Sequence, residues 1–231
     1  MAVTLATVEA ALNQAGLTPR GAFHPDAEDG VPPLPDGRAT VTVVLAGNAG
    51  PDMWRRFAAE RRAADEPDAL DGWTKQVMAP LAAALGGHPL FPSDGPPYMP
   101  FQRWAQRAES VHPSPIGPLI HPDFGLWHAY RGAVIFAERF VLPLSDTRPS
   151  PCASCAEKPC LATCPVGAMT TNGYDVAVCA THLDTEDSGD CMARSCAARR
   201  ACPVGRHYMY DPAQSYFHMA AFLRARRPDH Y

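Results

Sequence analysis

Eight cysteines lie between residues 152 and 202, and the first 151 residues contain none. They form two runs, Cys152-x2-Cys155-x4-Cys160-x3-Cys164-Pro and Cys179-x11-Cys191-x4-Cys196-x5-Cys202-Pro. Each run is three cysteines at varied spacing and a fourth followed by proline, and Cys-Pro-Val-Gly recurs at 164–167 and 202–205. Thiolate is a soft ligand that selects soft or borderline metals. Crowding of this kind, in a chain without an export signal, points to metal rather than to bridges.

A cubane iron–sulfur cluster offers four iron corners, each taking one thiolate, and a short loop can wrap only three of them. The fourth ligand must come from farther along the chain, and a proline after it ends the loop and turns the backbone away. The two runs resemble those of the bacterial two-cluster ferredoxins, in which the fourth cysteine of each run ligates the other cluster. The resemblance implies two [4Fe–4S] clusters. One would be held by Cys152, Cys155, Cys160 and Cys202, the other by Cys179, Cys191, Cys196 and Cys164. The spacing departs from the family's, with x4 between the second and third ligands and a stretched second run. Two other readings stand beside it. Structural zinc also uses Cys-x2-Cys, although one such knuckle is present and zinc does not account for the repeated Cys-Pro. Disulfides would require an oxidising compartment.

Outside the cysteines, the most distinctive stretch is "IGPLIHPDFGLWHAYRGAVIF" at 116–136. On its residues alone it is a Gly-, Pro- and aromatic-rich turn running into a strand, with packed core aromatics. His121-Pro122-x-Phe124-Gly125-x-Trp127-x-Ala129-x-Arg131-Gly132 resembles the loop of the vertebrate cobalamin-processing proteins, which have a flavin-reductase-like, nitroreductase-related fold. The order of helix, strand and helices before it is similar too. A weaker likeness extends to epoxyqueuosine reductase and the reductive dehalogenases, which join a cobalamin domain to a C-terminal module with two [4Fe–4S] clusters. An acid-donor motif of the kind epoxyqueuosine reductase carries is not found here. The resemblance implies cobalamin against Phe124, Gly125 and Trp127, with His121 and Arg131 making polar contacts. His121, His128 and His207 are candidate axial ligands or proton donors set against ordinary structural histidines. Tyr208 and Tyr210 follow the last ligand and could shield it.

The elements that must position these residues read as follows. Leu5, Val8 and Leu12 share one face of a helix over 4–15, and Gly16 stops it. A buried strand is expected at 39–47 and a second at 132–142. Helices are expected at 51–64, at 70–85 with an interruption at Pro80, and at 101–108. Residues 88–100 read as irregular. The basic stretch 54–65 reads as a solvated helix face, and a final helix starts at Asp211-Pro212 with arginines in its last turn. The fold class is α+β: a nitroreductase-like N-terminal α/β body over 1–142, a linker at 143–151, a ferredoxin-like domain at 152–210, and a docking helix at 211–231.

A net charge of −4 gives no basic surface for nucleic acid. The N-terminus lacks a signal peptide and no apolar run approaches a bilayer span, so a cytoplasmic, membrane-free location is expected. Taken together, these residues imply electron transfer through two clusters to cobalamin in the body. That would serve cobalamin reduction, upper-ligand removal or a corrinoid-dependent reduction, with a protein electron donor or acceptor as partner. The alternatives are an electron carrier that docks on a partner enzyme and binds no corrinoid, and a flavin in the same body. No phosphate-cradling glycine motif supports the flavin.

Overall fold

The computed structural model describes residues 2–61 and 68–226. In chain order come helix α1 (Leu5–Gln14), strands β1 (Thr18–Phe23) and β2 (Thr42–Ala49), and helices α2 (Asp52–Glu60) and α3 (Ala69–Ala84). Strand β3 (His88–Leu90), helix α4 (Phe101–Ala108), and the short strands β4 (His112–Pro113) and β5 (Leu119–Ile120) precede the long β6 (His128–Phe136). The rest is built of small pieces: α5 (Pro151–Ser154), α6 (Pro159–Ala162), β7 (Met169–Thr170), β8 (Gly173–Tyr174) and α7 (Val176–Leu183). After these come α8 (Gly189–Arg194), α9 (Ala197–Ala201) and the longer α10 (Pro212–Arg226). The architecture is mixed helix and sheet. Among the described residues, no helix is long and apolar enough to cross a membrane.

Two compact units emerge, one of Met1–Ser110 with His128–Thr147 and the other of Val111–Trp127 with Arg148–Tyr231. The dividing line therefore differs from the expected one. The stretch 111–127 belongs with the cysteines and not with the N-terminal body, because its apolar residues complete the core around them. The C-terminal helix also lies in the second unit, where Leu223 packs with Leu183 and Cys191.

In the first unit a four-stranded antiparallel sheet has the order β1-β2-β6-β3. β2 is buried on both faces because nearly every residue in it is apolar, and Val43, Val44 and Leu45 pair with Ile135, Val134 and Ala133 of β6. A strand buried on both faces reads as a continuous apolar run, which is why 39–47 is legible as a strand. β6 begins four residues before the expected 132 and ends at Phe136. β1 was not expected at all: "TPRGAF" has no alternation, its Pro19 and Gly21 signal a turn, and it enters the sheet through an irregular register between Pro19 and Ala22.

The helices fall close to their expected places. α1 is capped by the Thr4 hydroxyl, which accepts from the Thr7 amide, and it buries Val8 and Leu12. α3 runs unbroken through Pro80. Pro80 lies on the exposed face, where water can bond the carbonyl left without a donor one turn earlier. On α2, Arg55 and Arg56 pair with Asp52 and Glu60 on the exposed side. The remainder of the basic stretch expected there, 62–65, lies outside the described residues.

β1 carries Arg20, which is fully buried. Its guanidinium donates to the Asn48 carbonyl at 3.0 Å and to the Glu109 carboxylate, and it lies 4.8 Å from the centre of the Tyr130 ring. The Tyr130 hydroxyl also donates to Glu109, and burial pushes its phenol well above the ordinary value. Removing one partner of a buried pair leaves the other charge unanswered, at about 3–5 kcal/mol. Arg20→Met should therefore lower the unfolding free energy by about that amount, measured by urea titration. A loss under about 1 kcal/mol would mean Glu109 is neutral or solvated.

Candidate metal centres

The second unit brings all eight cysteines around two cavities. Cys152, Cys155, Cys160 and Cys202 line one, a hollow partly open to solvent, together with Pro115, Ile120 and Val204. Cys164, Cys179, Cys191 and Cys196 line the other, which is smaller, with Met169, Leu183 and Met219. The last cysteine of each run thus stands with the first three of the other. None of the eight forms a disulfide. Among the described residues, no three His, Cys, Asp or Glu side chains converge as ligands of one metal ion; each set of four surrounds a hollow instead.

Between the cavities lies a shared apolar core of Ile116, Ile120, Leu126, Met169, Ala198 and Cys202. Three of these six come from the stretch 111–127, which explains its place in this unit. Cysteines from both sets pack against it, among them Cys152, Cys160, Cys164 and Cys196.

The electrostatics divide the cysteines in the same way. Burial pushes the thiols of Cys152, Cys160, Cys179, Cys196 and Cys202 above the ordinary value. Cysteines of the same cavity add to the effect: Cys202 and Cys155 act on Cys152, while Cys191 and Cys164 act on Cys196. Opposing them are hydrogen bonds to sulfur. The Ala168 amide donates to Cys164 Sγ at 3.3 Å. The amides of Ala198 and Arg199 lower the pKa of Cys196, the Val204 amide that of Cys202 and the Tyr174 hydroxyl that of Cys179, each against the larger effect of burial. Four soft donors in one cavity, each easier to ionise beside a cation, suit a thiophilic metal group and not a hard cation.

The repeated Cys-Pro-Val-Gly acquires a second meaning here. Gly167 and Gly205 both have positive φ, +63° and +69°, a conformation that glycine adopts without a Cβ penalty. Proline carries each cysteine out of its loop, and three residues later glycine reverses the chain. At the second repeat the reversal crosses the stretch 121–127 at close range. A Cβ on Gly205 would lie 2.3 Å from the Phe124 carbonyl carbon, and one on Gly125 would lie 2.0 Å from the Val204 oxygen.

The close approach that Gly125 permits in this structure is to the chain's own backbone at Val204. Phe124 stacks on His121 at 4.3 Å and meets Tyr208 edge-on at 4.9 Å. His121 Nδ1 accepts from the amides of Asp123 and Phe124, so this ring nitrogen holds the turn. Trp127 is 1 % exposed and is covered by Tyr210 and the Arg199 guanidinium. Arg131 lies in the other unit, on β6, 3.8 Å from Asp71. The five residues expected around cobalamin are therefore divided, four in one unit and one in the other. Of the remaining candidates, His128 is buried beside Tyr130, and His207 is exposed beside Tyr208.

No protein-family model matches the chain, and no curated protein matches it by sequence. Among solved structures, an epoxyqueuosine reductase with an epoxyqueuosine-modified tRNA-Tyr stem loop is similar at 16% identity and TM-score 0.46, over 90% of this chain and 68% of that one. The Streptococcus thermophilus epoxyqueuosine reductase is similar at 13% identity and TM-score 0.49, over 90% and 69%. The C. elegans B12-trafficking protein CblC, a human MMACHC homologue, is similar at 13% identity and TM-score 0.43, over 98% and 97%.

Gly125→Ala tests the crossing. A non-glycine residue at φ +58° costs about 1–3 kcal/mol before the clash with Val204 is counted. The variant should unfold at least that much more easily in denaturant, with the loss concentrated in the second unit. Wild-type stability would show that Val204 can move aside.

Proposed function

We propose that this chain is an electron-transfer protein holding two [4Fe–4S] clusters, with a ferredoxin-like second unit. One observation carries the proposal: eight cysteines divided four and four around two separate cavities that share one apolar wall. Bound there, the clusters would supply one-electron redox chemistry. Cys152, Cys155, Cys160 and Cys202 would hold one, and Cys164, Cys179, Cys191 and Cys196 the other. The Ala168 amide donates to Cys164 Sγ, and the amides of Ala198, Arg199 and Val204 and the Tyr174 hydroxyl favour the thiolate forms of Cys196, Cys202 and Cys179. Ile116, Ile120, Leu126 and Met169 form a buried apolar core against which cysteines of both sets pack.

Reconstituted anaerobically, the chain should take up about eight irons with matching labile sulfide. Cys155→Ser and Cys191→Ser should each lose about half of the iron, and the double variant nearly all of it. Zinc uptake with no visible absorption would overturn the cluster reading.

The acceptor we propose is cobalamin, giving a cobalamin reductase or corrinoid-dependent oxidoreductase. This second reading is favoured by the resemblance of the stretch 121–132 to the loop of the cobalamin-processing proteins. Hydroxocobalamin added to the reduced protein should then show bound Co(II) or Co(I) bands. An unchanged corrin spectrum over clusters that reduce normally would leave a carrier that docks on a partner enzyme.

A further inference from the structure

Helix α9 has Cys196 of the smaller cavity at its start and Cys202 of the larger at its end. Six residue steps at 1.5 Å separate their Cα atoms by about 9 Å. A helix of five residues is far too short to hold itself together, since isolated helices under about 12–15 residues are marginal in water. Something outside α9 must fix it, and whatever does so fixes the distance between the two cysteine sets.

Arg199, in the middle of this turn, makes contacts in every direction. Its carbonyl accepts the Cys202 amide at 3.3 Å. Its side chain leaves α9 altogether. Nε donates to the Leu126 carbonyl at 3.0 Å and Nη2 donates to the same oxygen. The guanidinium carbon lies 4.5 Å from the Trp127 ring centre and 4.5 Å from that of Tyr210. Those two rings meet edge to face at 5.4 Å. A planar fork with two N–H groups on one carbonyl and an aromatic ring on each of two sides has little freedom left. Lysine, a flexible point charge, cannot reproduce it.

We infer that Arg199 is the positioning residue that sets the relation between the two cysteine sets, by clamping α9 to Leu126, Trp127 and Tyr210. The inference rests on the two-cluster reading above. The spin coupling between the two reduced centres depends on their separation. Their potentials depend on the surroundings of their sulfurs, and this turn places both Cys196 and Cys202.

The test is Arg199→Lys in the reconstituted full chain, read by iron content, by EPR of the fully reduced protein and by potentiometric titration. The expected variant keeps its iron but loses the wild-type spin-coupled line shape. Both midpoints should shift, changing the reduced-to-oxidised ratio at the wild-type midpoint about tenfold, or about 59 mV for one electron. Wild-type coupling and potentials in a fully loaded variant would overturn the inference. If Arg199→Lys fails to load, Tyr210→Leu removes one face of the clamp and keeps the arginine. It should shift the coupling in the same direction, and an unchanged spectrum would overturn the inference equally. A wild-type chain that takes up no iron would overturn the cluster reading, and this inference with it.

Discussion

Four thiols cannot share a partly buried cavity as anions unless positive charge joins them. Burial favours the neutral form of each, and every neighbouring sulfur adds to the penalty. The second unit contains two such cavities, and the rest of its construction follows from keeping them apart and keeping them supplied with donors. The apolar core of Ile116, Ile120, Leu126 and Met169 separates them. Backbone amides at Ala168, Ala198, Arg199 and Val204 turn toward sulfur. The helices here run to only four to eight residues between Pro151 and Ala201.

Short pieces need fixing from outside themselves, and the unit does this in two ways. Left-handed backbone at Gly167 and Gly205, and also at Lys158 and Ser195, turns the chain close to a cysteine. The stretch 111–127 then lies against the reversals. Its Gly125 accepts the Val204 backbone, its Leu126 carbonyl takes the Arg199 guanidinium, and its Asp123 receives both guanidinium nitrogens of Arg148. Loop geometry and hydrophobic separation are thus one device, because the same seventeen-residue stretch, Val111–Trp127, supplies both.

The sequence announces some of this and hides the rest, for physical reasons. Cysteine spacing is legible because ligand chemistry restricts it. β2 is legible because burial on both faces demands an unbroken apolar run, and α4 because Phe101, Trp104 and Ala105 recur at helical spacing and are buried. β1 is hidden because its central residue is a buried arginine, whose place in the sheet depends on Glu109, eighty-nine residues away. Arg199 is hidden for a similar reason: nothing local distinguishes it from Arg200 beside it, which bonds Asp190 and the Ser195 carbonyl instead.

The stretch 121–127 shows why residue types alone leave a choice. Glycine for close approach, aromatic rings for a flat surface and histidine for a polar contact describe a cofactor loop. They also describe a loop that must let another strand of backbone pass. Here each of those properties is met within the unit: Gly125 by Val204, Phe124 by His121 and Tyr208, Trp127 by Tyr210 and Arg199. A boundary drawn at 151, where the cysteines begin, would leave the cysteine-bearing part without Ile116, Ile120 and Leu126, and so without half of the apolar core its cysteines pack against. The module is therefore discontinuous in sequence. The long strand β6, inserted between its two segments, belongs to the sheet of the first unit.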